Sequence, residues 1–233
     1  RVTLAGQSSG ATLVETLLTV PAARGLIHRA VSHSATRIEP RPLSGPAGEE
    51  SGESVGARFL EGLGVGAGAG ASELRTLTVD SLLAAAARAG PRAPAEPVVD
   101  GRLLPDDPAR LLSRGDYAGV PLLKGSTAAE FSLFLRPTPL SPARYRAWAD
   151  ERYGELAPDV LAAHPPCRGE EDTRRRRIRL LSDEVFRAPT MLLLRWTGGR
   201  SPVHLYRFAW RPDDGAVGAF HSADLPFLFG THA

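Results

Sequence analysis

The segment from Gly6 to Gly10, with the sequence GQSSG, constrains this chain more than any other part of it. Apolar and β-branched residues precede it and predict a strand over 2–5, while apolar residues at helical spacing follow it and predict a helix over 9–20. The chain must therefore turn sharply around Ser8. A β-carbon on either side of such a turn would collide with the strand or the helix, which accounts for a glycine at each end of the segment. We expect Ser8 to project from the turn as a nucleophile, close to the free N–H groups at the helix start.

The residues after the turn also predict which face of this helix is buried. Leu13, Leu17, Leu18 and Val20 recur at helical spacing. We therefore expect them to form the face that packs on the protein interior.

Short apolar segments alternate with segments of helical spacing along the rest of the chain. Predicted strands lie at 25–31, 120–126 and 203–208, and predicted helices lie at 57–63, 79–89, 141–164 and 171–196. Strands separated by helices favour the α/β class, with a mostly parallel sheet and helices on its faces. Two stretches rich in glycine and other small or polar residues, about 40–56 and 64–72, are interpreted as surface insertions, so residues 1–233 are predicted to form a single domain.

Composition excludes several classes of function. The 233 residues carry a formal net charge of +2, with 28 Lys and Arg against 26 Asp and Glu. The four arginines at 174–177 have no aromatic residues among them, so we interpret them as a solvated helix face and predict no nucleic-acid partner. Cys167 is the single cysteine, which excludes a disulfide within the chain. No apolar run is long enough to cross a membrane, so we expect a soluble protein, cytoplasmic or secreted, of undetermined oligomeric state.

A serine nucleophile needs a base that takes its proton and a carboxylate that orients the base. Such groups lie in loops after the carboxyl ends of parallel strands. Glu130 follows the strand at 120–126 and His221 follows the strand at 203–208, so we predict Glu130 as the acid and His221 as the base. Four aspartates compete for the role of the acid: Asp100, Asp106 and Asp107 in a proline-rich turn, and Asp183 in a helix. The other histidines show no ligand spacing, so no metal and no other cofactor is predicted.

Three segments now combine into a family resemblance: GQSSG at 6–10, GSTAAEFSLF at 125–134 and GAFHSADLPFLFG at 218–230. They resemble the catalytic blocks of type B carboxylesterases, the cholinesterase-like branch of the α/β-hydrolases. Connecting segments such as VVDGRLLP at 98–105 are similar to that family as well, so the resemblance runs along almost the whole chain. It implies an α/β-hydrolase fold with Ser8 as nucleophile, Glu130 as triad acid, His221 as general base and the backbone N–H of Ser9 as an oxyanion donor.

The resemblance also implies the chemistry. The expected partner is a small-molecule carboxylic ester, hydrolysed through an acyl-enzyme intermediate, although an amide or a lactone stays open because a fold does not set the bond that is cleaved. Four phenylalanines near the catalytic blocks either line an acyl pocket or pack the core, and we favour packing: Phe131, Phe134, Phe220 and Phe227.

Two departures from the family pattern qualify these expectations. Residue 7 is Gln where most of the family has Glu, which removes a negative charge beside the nucleophile and predicts altered efficiency. The chain begins at Arg1 within the first predicted strand, downstream of the family's glycine-rich oxyanion loop, so we expect a fragment that lacks the N-terminal strands of the fold. Two alternatives to an esterase therefore remain: a non-catalytic cholinesterase-like binding module and an inactive truncated remnant.

Overall fold

The computed structural model describes residues 1–37, 39–46, 49–66, 68–89, 96–135, 138–197, 199–211 and 218–231. The strands are β1 Thr3–Gln7, β2 Arg29–His33, β3 Arg41–Pro42, β4 Val98–Val99, β5 Leu122–Thr127 and β6 Val203–Phe208. The α-helices are α1 Ser9–Thr19, α2 Gly52–Gly62, α3 Ala71–Leu74, α4 Val79–Ala89, α5 Pro108–Ser113, α6 Pro142–Tyr153, α7 Ala157–Ala163, α8 Glu170–Ser182, α9 Ala188–Thr197 and α10 Leu225–Leu228. Short 3₁₀ turns lie at Pro21–Ala23, Glu130–Ser132 and Gly154–Leu156, and one π-helical turn lies at Asp183–Arg187.

The main sheet has four parallel strands in the order β1-β2-β5-β6. Gln7, the last residue of β1, pairs with His33, the last residue of β2, and His33 pairs with Gly125, two residues before β5 ends at Thr127, so these three neighbouring strands end close to the same level. Because the strands are parallel, the loops that leave their carboxyl ends meet along one edge of the sheet. Ser8 and Glu130 follow two of these strands, and this topology brings them to the same edge.

The core forms where α1 packs on the sheet. Val14 and Leu18 on α1 are almost fully buried against Ala30 of β2 and Leu122 of β5. Leu193 of α9 closes the same cluster. Burying side chains of this size stabilises a fold by about 1.5–3 kcal/mol each, so this contact fixes the direction in which α1 leaves the turn at Ser8.

The predicted helix after the turn is confirmed, but the predicted apolar face is partly wrong. Leu13 and Leu17 are 46% and 39% exposed, whereas Glu15 is only 5% exposed. The carboxylate of Glu15 is accommodated in the interior because it pairs with the buried Lys124 of β5 and accepts a hydrogen bond of 2.5 Å from Ser32. A buried ion pair therefore occupies a place that the hydropathy pattern assigned to leucine.

The stretch expected as the first insertion is more ordered than predicted. It contains β3, which pairs in parallel with β4, and the first turn of α2. The helix begins at Gly52 instead of residue 57 because Ser51 and Ser54 form a capping box. The second expected insertion includes the start of α3 at Ala71, while residues 47, 48 and 67 of the two stretches lie outside the described part.

Two long predicted helices are interrupted. The helix expected over 141–164 ends at Tyr153 because Gly154 adopts φ 53°, a left-handed conformation that favours glycine, and α7 begins after a 3₁₀ turn. The helix expected over 171–196 contains the π turn at Asp183–Arg187 just before Pro189. Proline has no N–H to donate to the carbonyl four residues earlier, so the regular α-helical bonding cannot continue through this point.

Candidate active site

Ser8 occupies the strained turn that its sequence predicts. Its backbone has φ 57° and ψ −124°, between the end of β1 and the start of α1. The Ser8 N–H donates to the His33 carbonyl at 2.9 Å, and the Ser8 carbonyl accepts from the Thr12 N–H at 3.0 Å. A non-glycine residue in this region of φ is strained, so the flanking strand and helix must hold it there.

The two glycines of the turn have different roles. A β-carbon on Gly6 would lie 2.3 Å from the Gly10 carbonyl oxygen, a distance that requires the backbone to shift. A β-carbon on Gly10 would meet nothing within 4 Å in the described part of the chain outside its own helix backbone. The expectation that both glycines relieve a collision is therefore right for Gly6 and wrong for Gly10, because the close approach involves only the backbone of residue 10.

Glu130 and His221 form a hydrogen-bonded pair. Nδ1 of His221 lies 2.6 Å from Oε2 of Glu130. Glu130 is fully buried, and its other oxygen accepts from the Thr127 N–H at 2.7 Å and from the Ser34 hydroxyl at 2.6 Å. With three donors around it, the buried carboxylate is satisfied as an acceptor, so the proton belongs on Nδ1 and the lone pair of the neutral imidazole on Nε2.

The loop that carries His221 is itself strained. Ala219 has φ 46° and Ser222 has φ 74°, both unusual for residues with a β-carbon. The Ala219 carbonyl accepts from the Ala129 N–H at 3.0 Å, which ties this loop to the loop that carries Glu130. On the other side of His221, Asp224 accepts a hydrogen bond of 2.6 Å from the Tyr206 hydroxyl. His221 is thus held through its ring, through the backbone of Ala219 and through the side chain of Asp224.

Asp224 belongs to a second buried polar cluster next to this loop. Its Oδ2 lies 3.3 Å from Nδ1 of His33, and that nitrogen lies 2.5 Å from the Tyr206 hydroxyl. Burial opposes the ionised form, but hydrogen bonds from His33 and Tyr206 together outweigh it and hold the pKa of Asp224 below its usual value. Burial and the neighbouring Asp224 both raise the pKa of Tyr206, so its hydroxyl stays a donor.

Ser8 does not hydrogen-bond to His221 in the described structure. The side chain that contacts Nε2 of His221 is that of Gln7, the residue before Ser8. Nε2 of the Gln7 amide lies 3.1 Å from Nε2 of His221. Ser9 begins α1, where the first backbone N–H groups have no partner inside the helix. The structure thus brings all four residues predicted for the site to one edge of the sheet, where the Gln7 side chain contacts His221.

The competing aspartates are all engaged elsewhere. Asp100 accepts from three backbone N–H groups of its own turn, Asp106 pairs with Arg114, Asp107 caps α5, and Asp183 lies near two arginines of its own helix. Glu130 is the carboxylate that contacts His221.

With this geometry in place, the comparisons with known proteins decide the family. The sequence profile of the carboxylesterase family matches residues 1–233. The chain belongs to the carboxylesterase family. The family resemblance stated from the sequence is thereby confirmed.

Individual carboxylesterases are similar to this chain over nearly all of its length. The para-nitrobenzyl esterase of Bacillus subtilis is 30% identical over 98% of this chain and 46% of its own. The fumonisin B1 esterase of Sphingopyxis macrogoltabida is 27% identical over 98% of this chain and 42% of its own. The human cocaine esterase is 26% identical over 98% of this chain and 44% of its own. The chain therefore spans less than half the length of these relatives.

Solved structures of carboxylesterases have the same fold. A para-nitrobenzyl esterase structure superposes with a TM-score of 0.72 at 29% identity, covering 99% of this chain and 47% of the other. A Geobacillus stearothermophilus carboxylesterase gives a TM-score of 0.69 at 27% identity, covering 98% of this chain and 47% of the other. The predicted α/β-hydrolase fold, with a mostly parallel sheet flanked by helices, is confirmed.

The surroundings of His221 in this carboxylesterase chain are aromatic. The Phe134 ring lies 5.3 Å and the Phe186 ring 5.1 Å from the His221 ring, and Phe131 packs on both phenylalanines. Phe134 is 54% exposed, so it is not a core residue, although packing is the role that we favoured for it. Phe227 does pack, against Phe208 and Trp210, and Phe220 is partly exposed.

Sequence reasoning missed Ser34 and Phe186. Ser34 directly follows β2 and is fully buried with its hydroxyl on Glu130, so a polar residue after a buried strand was the available signal. Phe186 lies in the π turn, and such turns often occur at functional sites, but nothing in its sequence surroundings marks that turn except Pro189.

No group of three or more His, Cys, Asp or Glu side chains in the described ranges is arranged to hold a metal ion. Within the same ranges, every helix is too short or too polar to cross a membrane.

Proposed function

We propose that this chain carries the catalytic triad of a serine carboxylic-ester hydrolase, with Ser8 as nucleophile, His221 as general base and Glu130 as the acid. The observation that supports this most strongly is the 2.6 Å bond between Glu130 and His221, because it fixes the imidazole with its lone pair on Nε2. A base in that tautomer, at the sheet edge where a strained serine turn lies, is what acyl transfer to a hydroxyl requires.

The proposed reaction has two halves. Ser8 Oγ attacks the ester carbonyl carbon while its proton passes to Nε2 of His221, and the carbonyl oxygen becomes an oxyanion near the Ser9 N–H. The C–O bond to the alcohol then breaks, His221 returns the proton to the leaving alkoxide, and the acyl group stays on Ser8. Water, deprotonated by His221, then attacks the acyl carbon, the bond from that carbon to Ser8 Oγ breaks, and the acid leaves. His221 returns the proton to Ser8 Oγ, which restores the starting site. The net reaction is ester plus water to acid plus alcohol.

Three features support the roles of the individual groups. The buried Glu130 carboxylate lies beside Nδ1, where it stabilises the imidazolium that forms during each proton transfer. Ser9 stands at the positive end of α1, where a developing negative charge is favoured. The relatives are named as esterases of para-nitrobenzyl esters, fumonisin B1 and cocaine, which supports a small-molecule carboxylic ester as the substrate class here.

Hydrolysis of 4-nitrophenyl acetate by the complete product of the gene tests the proposal. Ser8→Ala should lower kcat by roughly 10⁴-fold or more while the unfolding midpoint stays unchanged, because loss of any triad member removes most of the rate enhancement. The matched control is Ser72→Ala, at an exposed serine of α3, which should keep full activity. Near-normal turnover by the Ser8→Ala protein would refute the mechanism and favour a binding role for the fold.

A further inference from the structure

Gln7 contacts the one nitrogen of His221 that catalysis needs. Gln7 is the last residue of β1, and its amide nitrogen lies 3.1 Å from Nε2 of His221. Because Glu130 holds the imidazole proton on Nδ1, Nε2 of the neutral ring has a lone pair and no proton. The amide N–H of Gln7 is therefore the donor and the base is the acceptor.

The same lone pair must accept the proton of Ser8 in the proposed reaction. One imidazole lone pair makes one well-directed hydrogen bond, and in the described structure it makes that bond with Gln7 and none with Ser8. We propose that Gln7 caps the general base in the resting site, so that its amide must move away before Ser8 can be deprotonated. This inference rests on the function proposed above, and it goes further by assigning residue 7 a part in controlling that reaction.

The surroundings of His221 make residue 7 decisive for the charge of the ring. From the 3₁₀ turn after β5 the ring meets the Glu130 carboxylate. It also meets two uncharged rings, Phe134 just after that turn and Phe186 of the π turn. Asp224, three residues after His221, is engaged by the Tyr206 hydroxyl and by the His33 ring. On the Nε2 side the contact is the neutral Gln7 amide, a donor that fits only the unprotonated ring.

A carboxylate at position 7 would reverse this preference. It has no N–H to donate to a lone pair, and it accepts well from an Nε2–H, so it favours the imidazolium over the neutral base. The thioether of a methionine at position 7 would neither donate to Nε2 nor favour the imidazolium, so it would leave Nε2 free for Ser8. The glutamine thus caps the neutral base, whereas Glu would favour the protonated ring and Met would leave Nε2 open.

The rate of covalent labelling of Ser8 by a fluorophosphonate, measured from pH 5 to 9 on the complete gene product, tests this inference. Gln7→Met should raise the plateau rate about threefold to tenfold, since the hydrogen bond that competes with Ser8 is gone. Gln7→Glu should move the acid limb of the profile up by about one pH unit, because the new carboxylate stabilises the protonated ring. Ser72→Glu, which adds the same charge at a distant exposed site, should leave the profile where it is.

The outcomes separate the inference from the function on which it rests. Absence of wild-type labelling at Ser8 would overturn both. Wild-type labelling together with an unchanged or slower plateau in Gln7→Met, and with no shift in Gln7→Glu, would overturn the capping role alone. A variant that merely disturbed packing would slow labelling at every pH and lower the unfolding midpoint. It would neither accelerate labelling nor shift the acid limb of the pH profile.

Discussion

The buried ion pair between α1 and the sheet offers a quantitative test of how this fold is held together. Lys124 is fully buried and the side chain of Glu15 is 7% exposed, so both charges are almost completely removed from solvent in the folded protein. Replacing Lys124 by Met leaves the Glu15 carboxylate in the interior with the Ser32 hydroxyl as its remaining polar contact. Breaking a buried pair in this way costs about 3–5 kcal/mol, because an uncompensated charge stays behind.

Glu15→Leu should cost a similar amount for the same reason, since it strands the ammonium group of Lys124. The double variant, Glu15→Leu with Lys124→Met, removes both charges and leaves apolar groups of similar length. Such replacements are neutral or stabilising by about 1–4 kcal/mol. The double variant should therefore be more stable than either single variant.

Urea unfolding of the four proteins gives the free energies of unfolding and the coupling between the two sites. The reasoning would be refuted if each single variant lost less than about 1 kcal/mol, or if the double variant lost the sum of the two single losses. Either result would mean that water reaches the pair, or that its charges act independently.

Further predictions concern the serine turn and the groups behind the histidine. In urea unfolding, Gly6→Ala should destabilise the fold by about 1–3 kcal/mol, and it should abolish fluorophosphonate labelling of Ser8. Gly10→Ala should change neither the free energy of unfolding nor the labelling, because only the Gly6 substitution brings a β-carbon against backbone. Ser34→Ala should lower the stability by about 1.5–3 kcal/mol in urea unfolding and slow 4-nitrophenyl acetate hydrolysis, since the buried Glu130 carboxylate loses a donor; unchanged values would show that the Thr127 N–H suffices. The pKa of Asp224 is lower in the folded protein than its ordinary value of 3.8, so ionised Asp224 stabilises the fold above pH 3.8, and this stabilisation is lost as the pH falls from 3.8 through the lower folded value. Asp224→Asn should therefore reduce the dependence of the thermal unfolding midpoint on pH in that range. An equal slope in the variant and the wild type would contradict the lowered pKa.

The serine turn was predictable because its determinants are local. A strand, a turn that brings two backbones together and a helix lie within about 20 residues, and Gly6 carries the steric requirement on its own. The candidate acid Glu130 and the candidate base His221 were also predictable, since each follows a strand of a parallel sheet and the loops after such strands meet at one edge of the sheet. Their contact joins residues 91 positions apart, and the sequence indicated it through topology instead of through any local pattern.

What the sequence did not reveal depends on long-range pairing. Glu15 and Lys124 are 109 residues apart, and a hydropathy pattern treats both as surface residues, so the buried face of α1 was assigned correctly only in part. The Gln7 contact joins residues 214 positions apart, and residue 7 drew notice only as a departure from the family pattern. The early start of α2 was different, because the Ser51 and Ser54 capping box is a local signal that was overlooked in a glycine-rich stretch.

The most direct test of the central claim is to map the fluorophosphonate adduct on the complete gene product by peptide mass spectrometry. The account predicts one adduct, on Ser8, which His221→Gln nearly abolishes and Glu130→Gln slows by roughly 10⁴-fold, because the ring loses its orienting carboxylate. The control Glu155→Gln, at an exposed glutamate, should label at the wild-type rate. An adduct on another serine, or labelling of Ser8 that persists without His221, would contradict the assignment of Ser8, His221 and Glu130 as one catalytic unit.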